Sequence, residues 1–92
     1  MKVQNINHII ERVYPLLEAD AFSQNKQLLF QPRETTDVLL DSQEITQLIL
    51  NLCRNGLEAM QDHGALFIRT YSREDHVELS IEDERQGLNS NR

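Results

Sequence analysis

Segment 41–64 constrains the fold most strongly, because its apolar residues recur at the spacing of one helix face. Asp41 is a typical N-cap residue, and Glu44 stands three positions later, as in a capping box. Asp62-His63-Gly64 is predicted to end the helix, with Gly64 in a left-handed conformation. One apolar stripe is predicted to be buried: Ile45, Leu48, Ile49, Leu52, Cys53, Gly56, Leu57 and Met60.

A second amphipathic segment, residues 5–24, predicts another helix near the N-terminus. Asn5 can cap its start. Pro15 lacks a backbone N–H and is expected to kink the helix, or to split it between Arg12 and Tyr14. The residues predicted to face the core are Ile6, Ile9, Ile10, Val13 and Leu17.

Four shorter segments have the character of β-strands. Gln27 to Gln31 and Asp37 to Leu40 flank the turn-like segment 32–36, so they are expected to form a hairpin. Residues 72–75 connect the other two strands at hairpin length. One face of each of these strands is apolar or β-branched: Leu66, Ile68 and Thr70 on the first, and Val77, Leu79 and Ile81 on the second.

The order helix, hairpin, helix, hairpin predicts an α+β fold. We expect a two-layer α/β sandwich, with the helices packed on one face of a mostly antiparallel mixed sheet. The other sheet face is expected to be solvated or covered by something outside this chain. A chain of 92 residues, 39% of them hydrophobic and 26% charged, suits a single soluble globular domain over 1–92.

The charge balance excludes several classes of partner. A formal net charge of −6 repels nucleic-acid phosphates and anionic lipid, so neither nucleic acid nor direct membrane contact is expected. No apolar stretch approaches the ~20 residues of a membrane span, and MKVQNINHII has no apolar signal-peptide core. The lone Cys53 fits a reducing compartment, so a cytoplasmic location is expected.

Two asparagines are unusual on the polar side of the long helix. Asn51 and Asn55 are four positions apart and share one face, although asparagine is a mediocre helix former. One interpretation is a solvated face that happens to carry two amides. The other is a pair of neutral oxygen ligands for Mg²⁺, which usually shares its ligands with substrate phosphates. Spacing alone leaves both open.

The residues around this pair carry a family resemblance. Segment 47–60, QLILNLCRNGLEAM, closely resembles the N box of sensor histidine kinases. That motif usually has Asn-Leu, two variable residues, Asn-Ala, one variable residue and Glu-Ala-Met. Val77 to Asp83 looks like the strand leading into the first glycine box, usually Asp-x-Gly-x-Gly. Over nearly its whole length, the chain resembles the ATP-binding catalytic domain of these kinases. That domain belongs to the GHKL superfamily, together with gyrase B and MutL, and has a Bergerat-type fold.

The resemblance implies ATP and Mg²⁺ as cofactors and assigns roles to individual residues. It implies that Asn51 and Asn55 contact the phosphates and Mg²⁺, with Asn55 as the metal ligand. Asp83 is implied to accept a hydrogen bond from the adenine amino group, and Gly87 matches one glycine of the first glycine box. Asn51 stands where ATP-hydrolysing cousins have a water-activating glutamate, which suits a kinase that does not hydrolyse ATP.

Three departures from the family pattern are visible. Gly56 stands where the family usually has alanine, and Arg85 occupies the first glycine position of the glycine box. The 92 residues look like the N-terminal two-thirds of the domain, truncated before the lid and the second glycine box. The missing final strand would leave a sheet edge exposed, so self-association is expected.

The implied function is to supply Mg-ATP for phosphorylation of a histidine on a separate dimerisation domain, with a response regulator as an indirect partner. The chain would then be a cytoplasmic protein or the cytoplasmic part of a membrane sensor. The 92 residues alone carry no catalytic residue and are expected to be inactive. The alternative is a degenerate, non-catalytic module of the same fold that acts as a protein-interaction adaptor.

The histidines and the cysteine are expected to have no catalytic or zinc-binding role. His8 is followed by Ile9 instead of the acid of a phosphoacceptor box, and the proline comes two positions too late. His63 and His76 have no third ligand at zinc spacing. Cys53 lies on the apolar stripe and is predicted to be a small core residue.

Overall fold

The computed structural model describes residues 1–84, so Arg85 and Gly87 lie outside the described residues. Two helices and five strands occur in the described range. In chain order they are β1 (Lys2–Gln4), α1 (Ile6–Ser23), β2 (Gln27–Gln31), β3 (Val38–Leu40), α2 (Ser42–Ala59), β4 (Ala65–Ser72) and β5 (Val77–Glu84).

The strands form two separate sheets. The larger has the order β2-β4-β5, with β2 parallel to β4 and β4 antiparallel to β5. The smaller is an antiparallel ribbon of β1 and β3. Both helices pack against the larger sheet, α1 on β2 and α2 on β4 and β5. The fold is therefore α+β, and it is consistent with the two-layer sandwich expected from the sequence.

The predicted hairpin between the first two strands is wrong. β2 pairs in parallel with β4, with Leu28 beside Leu66, whereas β3 pairs with β1 and places Leu39 opposite Val3. In this arrangement Leu28 is buried, and Arg33 in the β2–β3 connection is hydrogen-bonded to Asn7 of α1 and to Thr70 of β4. β1 was not predicted at all, because a strand of only three residues has no measurable periodicity.

One continuous core lies between the helices and the larger sheet. α1 is a single helix with Asn5 as its N-cap, and the Asn5 side chain accepts a 2.9 Å hydrogen bond from the Asn7 amide. The helix does not split at Pro15, because buried Val13 and Leu17 anchor it on both sides of the proline. The buried core residues are Ile6, Ile9, Ile10, Val13, Leu17, Ala21, Leu28, Ile49, Cys53, Leu57, Met60, Leu66 and Ile68.

α2 begins as predicted, but its predicted buried stripe is too wide. The Asp41 carboxylate accepts hydrogen bonds from the amides of Gln43 and Glu44, as an N-cap does. Leu48 and Leu52 are 46% and 39% exposed, because only the centre of the stripe meets the sheet. In the turn after α2, the left-handed residue is His63, with φ 69°, and not the predicted Gly64.

The sheet face opposite the helices carries ion pairs beside aromatic rings. Arg69 lies over the Phe67 ring and pairs with Glu82, while Arg73 pairs with Glu78. No helix in the described range is long and apolar enough to cross a membrane.

Candidate functional site

A groove of about 530 Å³ runs between α2 and the end of β5. One wall comes from the helix, and the other comes from β4 and β5. The lining residues are Leu52, Gly56, Leu66, Ile81, Glu82 and Asp83. The groove is thus apolar along its length and carboxylate-bearing where β5 ends.

Asp83 lies on the helix-facing side of β5. Side chains alternate between the two faces of a strand, so Asp83 shares its face with Leu79 and Ile81, which pack against the core. It pairs with Leu66 of the neighbouring strand. Because Asp83 follows apolar residues on the same face of β5, a ligand in the groove can donate a hydrogen bond to its carboxylate.

At Gly56, α2 packs closely against the sheet. A Cβ added at Gly56 would lie 2.9 Å from Cδ1 of Leu66. The missing side chain therefore lets Leu66 pack directly against the helix backbone at the floor of the groove. This contact gives the glycine a packing reason that the sequence alone does not reveal.

The two asparagines predicted as ligands lie on the solvent side of α2. Asn51 and Asn55 are both exposed, and each immediately precedes a groove residue, Leu52 and Gly56 respectively. The two amides lie one helical turn apart on α2, and neither is among the residues that line the groove. Asp83 lies across the groove on β5.

Lys26 holds the C-terminal end of α2 in place and was missed by the sequence analysis. Its Nζ donates hydrogen bonds to the Leu57 carbonyl and to the Gln24 side chain. The neighbouring Asn25, with φ 60°, accepts a 2.8 Å hydrogen bond from the His63 amide through its carbonyl. A cation within the last turn of a helix is an ordinary capping signal that a sequence shows. Lys26 instead lies in the loop between α1 and β2, far from α2 in the sequence.

Cys53 is fully buried, and burial raises the pKa of its thiol to about 11. This confirms its prediction as a core residue. His8 and His63 are exposed. Within the described residues, no group of three or more His, Cys, Asp or Glu side chains could hold a metal ion.

An exposed charged cluster surrounds His76 in the β4–β5 connection. Its Nδ1 lies 2.6 Å from an Asp75 oxygen, and its Nε2 lies 3.0 Å from a Glu78 oxygen. Hydrogen bonds to Glu78 and Asp75 raise the pKa of His76, and the same bonds lower the pKa values of both carboxyl groups. The cluster favours a protonated His76 at the far end of β5 from Asp83.

A second cavity, of about 370 Å³, lies at this far end. It separates the β1–β3 ribbon from α2 and β5, and Asp75 and His76 lie beside it. Its apolar lining is Ile6, Val38, Leu40, Ile45, Leu48, Val77 and Leu79. Together the groove and this cavity follow one flank of α2; we call them the α2–β5 trough.

No protein-family model matches the chain. Relatives include Sporulation kinase C of Bacillus subtilis, 29% identical over 89 residues, which are 95% of this chain and 21% of the relative. Sensor histidine kinase ZraS of Escherichia coli K12 is 27% identical over 89 residues, covering 96% of this chain and 19% of the relative. Sensor protein FixL of Bradyrhizobium diazoefficiens is 34% identical over 91 residues, covering 95% and 18%. The homologues are sensor histidine kinases, and this chain spans about a fifth of their length.

Proposed function

We propose that this chain is the nucleotide-binding portion of a sensor histidine kinase and that it holds the adenine of ATP between α2 and β5. The observation that carries the proposal is Asp83, a carboxylate on the helix-facing side of β5 at the end of an apolar groove. The N-box resemblance of α2 and the similarity to histidine kinases over 95% of the chain support the same assignment.

The groove suits a purine base. Leu52, Leu66 and Ile81 offer apolar contacts to a flat ring, and Gly56 leaves the helix backbone without a side chain at this point. Asp83 accepts a hydrogen bond from the exocyclic amino group of adenine, which guanine lacks at that ring position. Binding sites with apolar walls and a few directed polar groups are typical for ligands of this size.

The exposed amides on α2 suit the polar end of the nucleotide. Asn55 offers an amide oxygen to Mg²⁺, and Asn51 offers its amide N–H groups to phosphate oxygens. Mg²⁺, when bound, neutralises charge on the transferred phosphoryl group. Neither amide can act as a general base, so the pair positions the nucleotide without activating water.

Phosphoryl transfer by such a chain needs a partner that carries the acceptor histidine. We propose a separate phosphoacceptor and dimerisation domain in that role, with a response regulator downstream. The similarity to sensor histidine kinases supports this relation. Positioning and electrostatics dominate such transfers, so a nucleotide-binding portion contributes by presenting the nucleotide.

Asp83→Asn tests the adenine site in the 92-residue chain. Adenosine added to isotopically labelled protein should shift amide NMR signals of residues lining the groove, with a Kd of about 0.1–1 mM, since binding rests on one hydrogen bond and apolar contact. Asp83→Asn replaces one acceptor oxygen with a donor, so adenosine binding should weaken about tenfold or more.

Asp20→Asn is the matched control, because it makes the same change on α1, on an element that contributes nothing to the groove. It should bind adenosine like the unmodified chain. Guanosine binding equal to adenosine binding, or full adenosine affinity in Asp83→Asn, would contradict the proposed function. Absence of binding in all variants would favour the non-catalytic adaptor instead.

A further inference from the structure

The face of the β2-β4-β5 sheet that points away from the helices concentrates arginine and aromatic side chains; we call it the open sheet face. Phe67 and Tyr71 alternate with the buried residues of β4, so their rings lie on this face. Its arginines are Arg33, Arg69 and Arg73, which are three of the five arginines in residues 1–84. Aromatic residues and arginine are the types enriched at the centres of protein–protein interfaces.

Two guanidinium groups contact the ring of Tyr71. Cζ of Arg33 in the β2–β3 connection and Cζ of Arg73 just after β4 each lie 5.5 Å from the ring centroid. The backbone of Arg33 is fixed, because its amide donates to the hydroxyl of buried Thr70 and its carbonyl accepts from the Asn7 side chain. A guanidinium that stacks on a ring still presents its N–H groups in a planar fork. The Arg33–Tyr71–Arg73 cluster is therefore preorganised to bind an oxygen ligand.

The arginines of this face differ in how they are neutralised. The guanidinium of Arg73 lies 3.1 Å from a Glu78 oxygen, and Arg69 pairs with Glu82. Within residues 1–84, no Asp or Glu forms an ion pair with Arg33. The cluster thus contains one positive charge that no carboxylate of the described chain balances.

This local excess has the opposite sign to the charge of the whole chain. Asp75 and His76, which adjoin the cluster through Glu78, carry opposite charges when His76 is protonated and cancel each other. The remaining acids of the chain give it a net charge of −6. At physiological ionic strength the Debye length is about 8 Å, so charges on other surfaces are largely screened at the cluster. Short-range contacts at Arg33 therefore favour an anionic group.

We propose that the open sheet face docks an acidic segment of a partner protein, with a carboxylate of that segment bound by Arg33 and Arg73 beside the Tyr71 ring. A carboxylate matches the fork of a guanidinium, and such charge-assisted hydrogen bonds are stronger than neutral ones. Leu29, which is 39% exposed and pairs with Phe67 on the same face, offers apolar contact to the rest of the segment.

This docking surface is separate from the proposed nucleotide site. The α2–β5 groove and Asp83 lie on the helix-facing side of the sheet, whereas the cluster lies on the opposite side. An acidic segment and a nucleotide therefore do not compete for space. The inference does not depend on the proposed function, and its test needs no nucleotide.

NMR titration of the isotopically labelled 92-residue chain tests the proposal. The probe is the peptide acetyl-Asp-Glu-Leu-Glu-Asp-amide, added at constant physiological ionic strength. It should shift the amide signals of Arg33, Tyr71 and Arg73 with a Kd of about 1 mM, since few groups make the contact. The neutral peptide acetyl-Asn-Gln-Leu-Gln-Asn-amide has the same shape and should leave these signals in place.

Arg33→Gln should weaken binding of the acidic peptide about tenfold, because it removes the unbalanced charge. The variant keeps the backbone amide that bonds to Thr70, so the fold should be retained. Arg12→Gln is the matched control, because it makes the same change at an exposed arginine of α1, and it should bind the peptide like the unmodified chain. Tyr71→Leu removes the ring that both guanidinium groups contact and should also weaken binding.

Three results would overturn the proposal. The first is the absence of shifts at the cluster, or equal shifts with the neutral peptide. The second is equal loss of binding in Arg12→Gln and Arg33→Gln, because the peptide would then respond to net charge alone. The third is inorganic phosphate that shifts the same signals at lower concentration than the peptide, since the cluster would then select a phosphoryl group. If Arg33→Gln does not fold, the comparison of Tyr71→Leu with Arg12→Gln decides.

Discussion

Neighbouring apolar residues of α2 have different environments despite one continuous periodic pattern. Ile49 and Cys53 are fully buried against the sheet, whereas Leu48 and Leu52, one position earlier in each case, stand on the flank of the helix. Successive helical residues are about 100° apart, so a stripe as wide as this one reaches beyond the sheet it covers. The flank residues are therefore available to line a groove.

Ile49→Ala and Leu52→Ala should separate these two environments. Ile49→Ala should lower the free energy of unfolding by about 2–5 kcal/mol, because it opens a cavity in the core. Leu52→Ala should cost about 1 kcal/mol, because a side chain that is already 39% exposed loses little burial. Urea unfolding at low protein concentration measures both. Equal costs would mean that Leu52 is a core residue.

At the scale of elements, a polar network ties the β2–β3 connection to α1 and β4. The fully buried Thr70 donates a 2.7 Å hydrogen bond to the Asn7 side chain, and its hydroxyl accepts a 3.2 Å bond from the Arg33 amide. Asn5 donates to the Thr35 carbonyl and accepts from the Thr35 hydroxyl. These bonds hold β3 away from β2, and β3 pairs with β1 instead.

Thr70→Val tests this network, because it keeps the shape of the side chain and removes the hydroxyl. The Asn7 side chain and the Arg33 amide would each lose a partner, which should cost about 1–3 kcal/mol of unfolding free energy. The Arg33 amide should also exchange its hydrogen faster. Thr70→Ser, which retains the hydroxyl, should keep Arg33 protected. Unchanged exchange in Thr70→Val would show that the network does not hold this connection.

At the scale of the whole molecule, charge limits what the groove can do with phosphates. The chain carries a net charge of −6, and the described residues that line the groove include the carboxylate of Asp83 but no Lys or Arg. Neither the overall field nor these walls attracts a polyanion. Base recognition is therefore expected to dominate nucleotide binding by these 92 residues.

Calorimetry with adenosine, ADP and ATP in the presence of Mg²⁺ should give similar affinities within about tenfold, a difference of about 1.4 kcal/mol. If Mg²⁺ raises the affinity for ATP, this increase should disappear in Asn55→Ala. The adenosine affinity and the melting temperature of this variant should stay the same, because Asn55 is exposed. Sub-micromolar ATP binding would contradict this expectation. A Mg²⁺-dependent increase in ATP affinity that is also measured in Asn55→Ala would contradict it as well.

Local sequence signals determined the helices and the candidate ligands. The caps at Asn5 and Asp41 and the period of the apolar residues are properties of adjacent residues, so α1 and α2 were predicted almost to their ends. The roles predicted for Asn51, Asn55 and Asp83 came from the resemblance to the N box and to the strand before the first glycine box, because spacing and position alone left them open.

Tertiary structure alone decided how these pieces meet. The parallel pairing of β2 with β4 joins residues about 38 positions apart, and no local pattern distinguishes it from a hairpin between β2 and β3. The close packing of Gly56 on Leu66, the capping of α2 by Lys26 and the exposure of Leu48 and Leu52 likewise depend on contacts between distant segments. Periodicity tells which residues share a face, but only the packed layers decide how much of that face is covered.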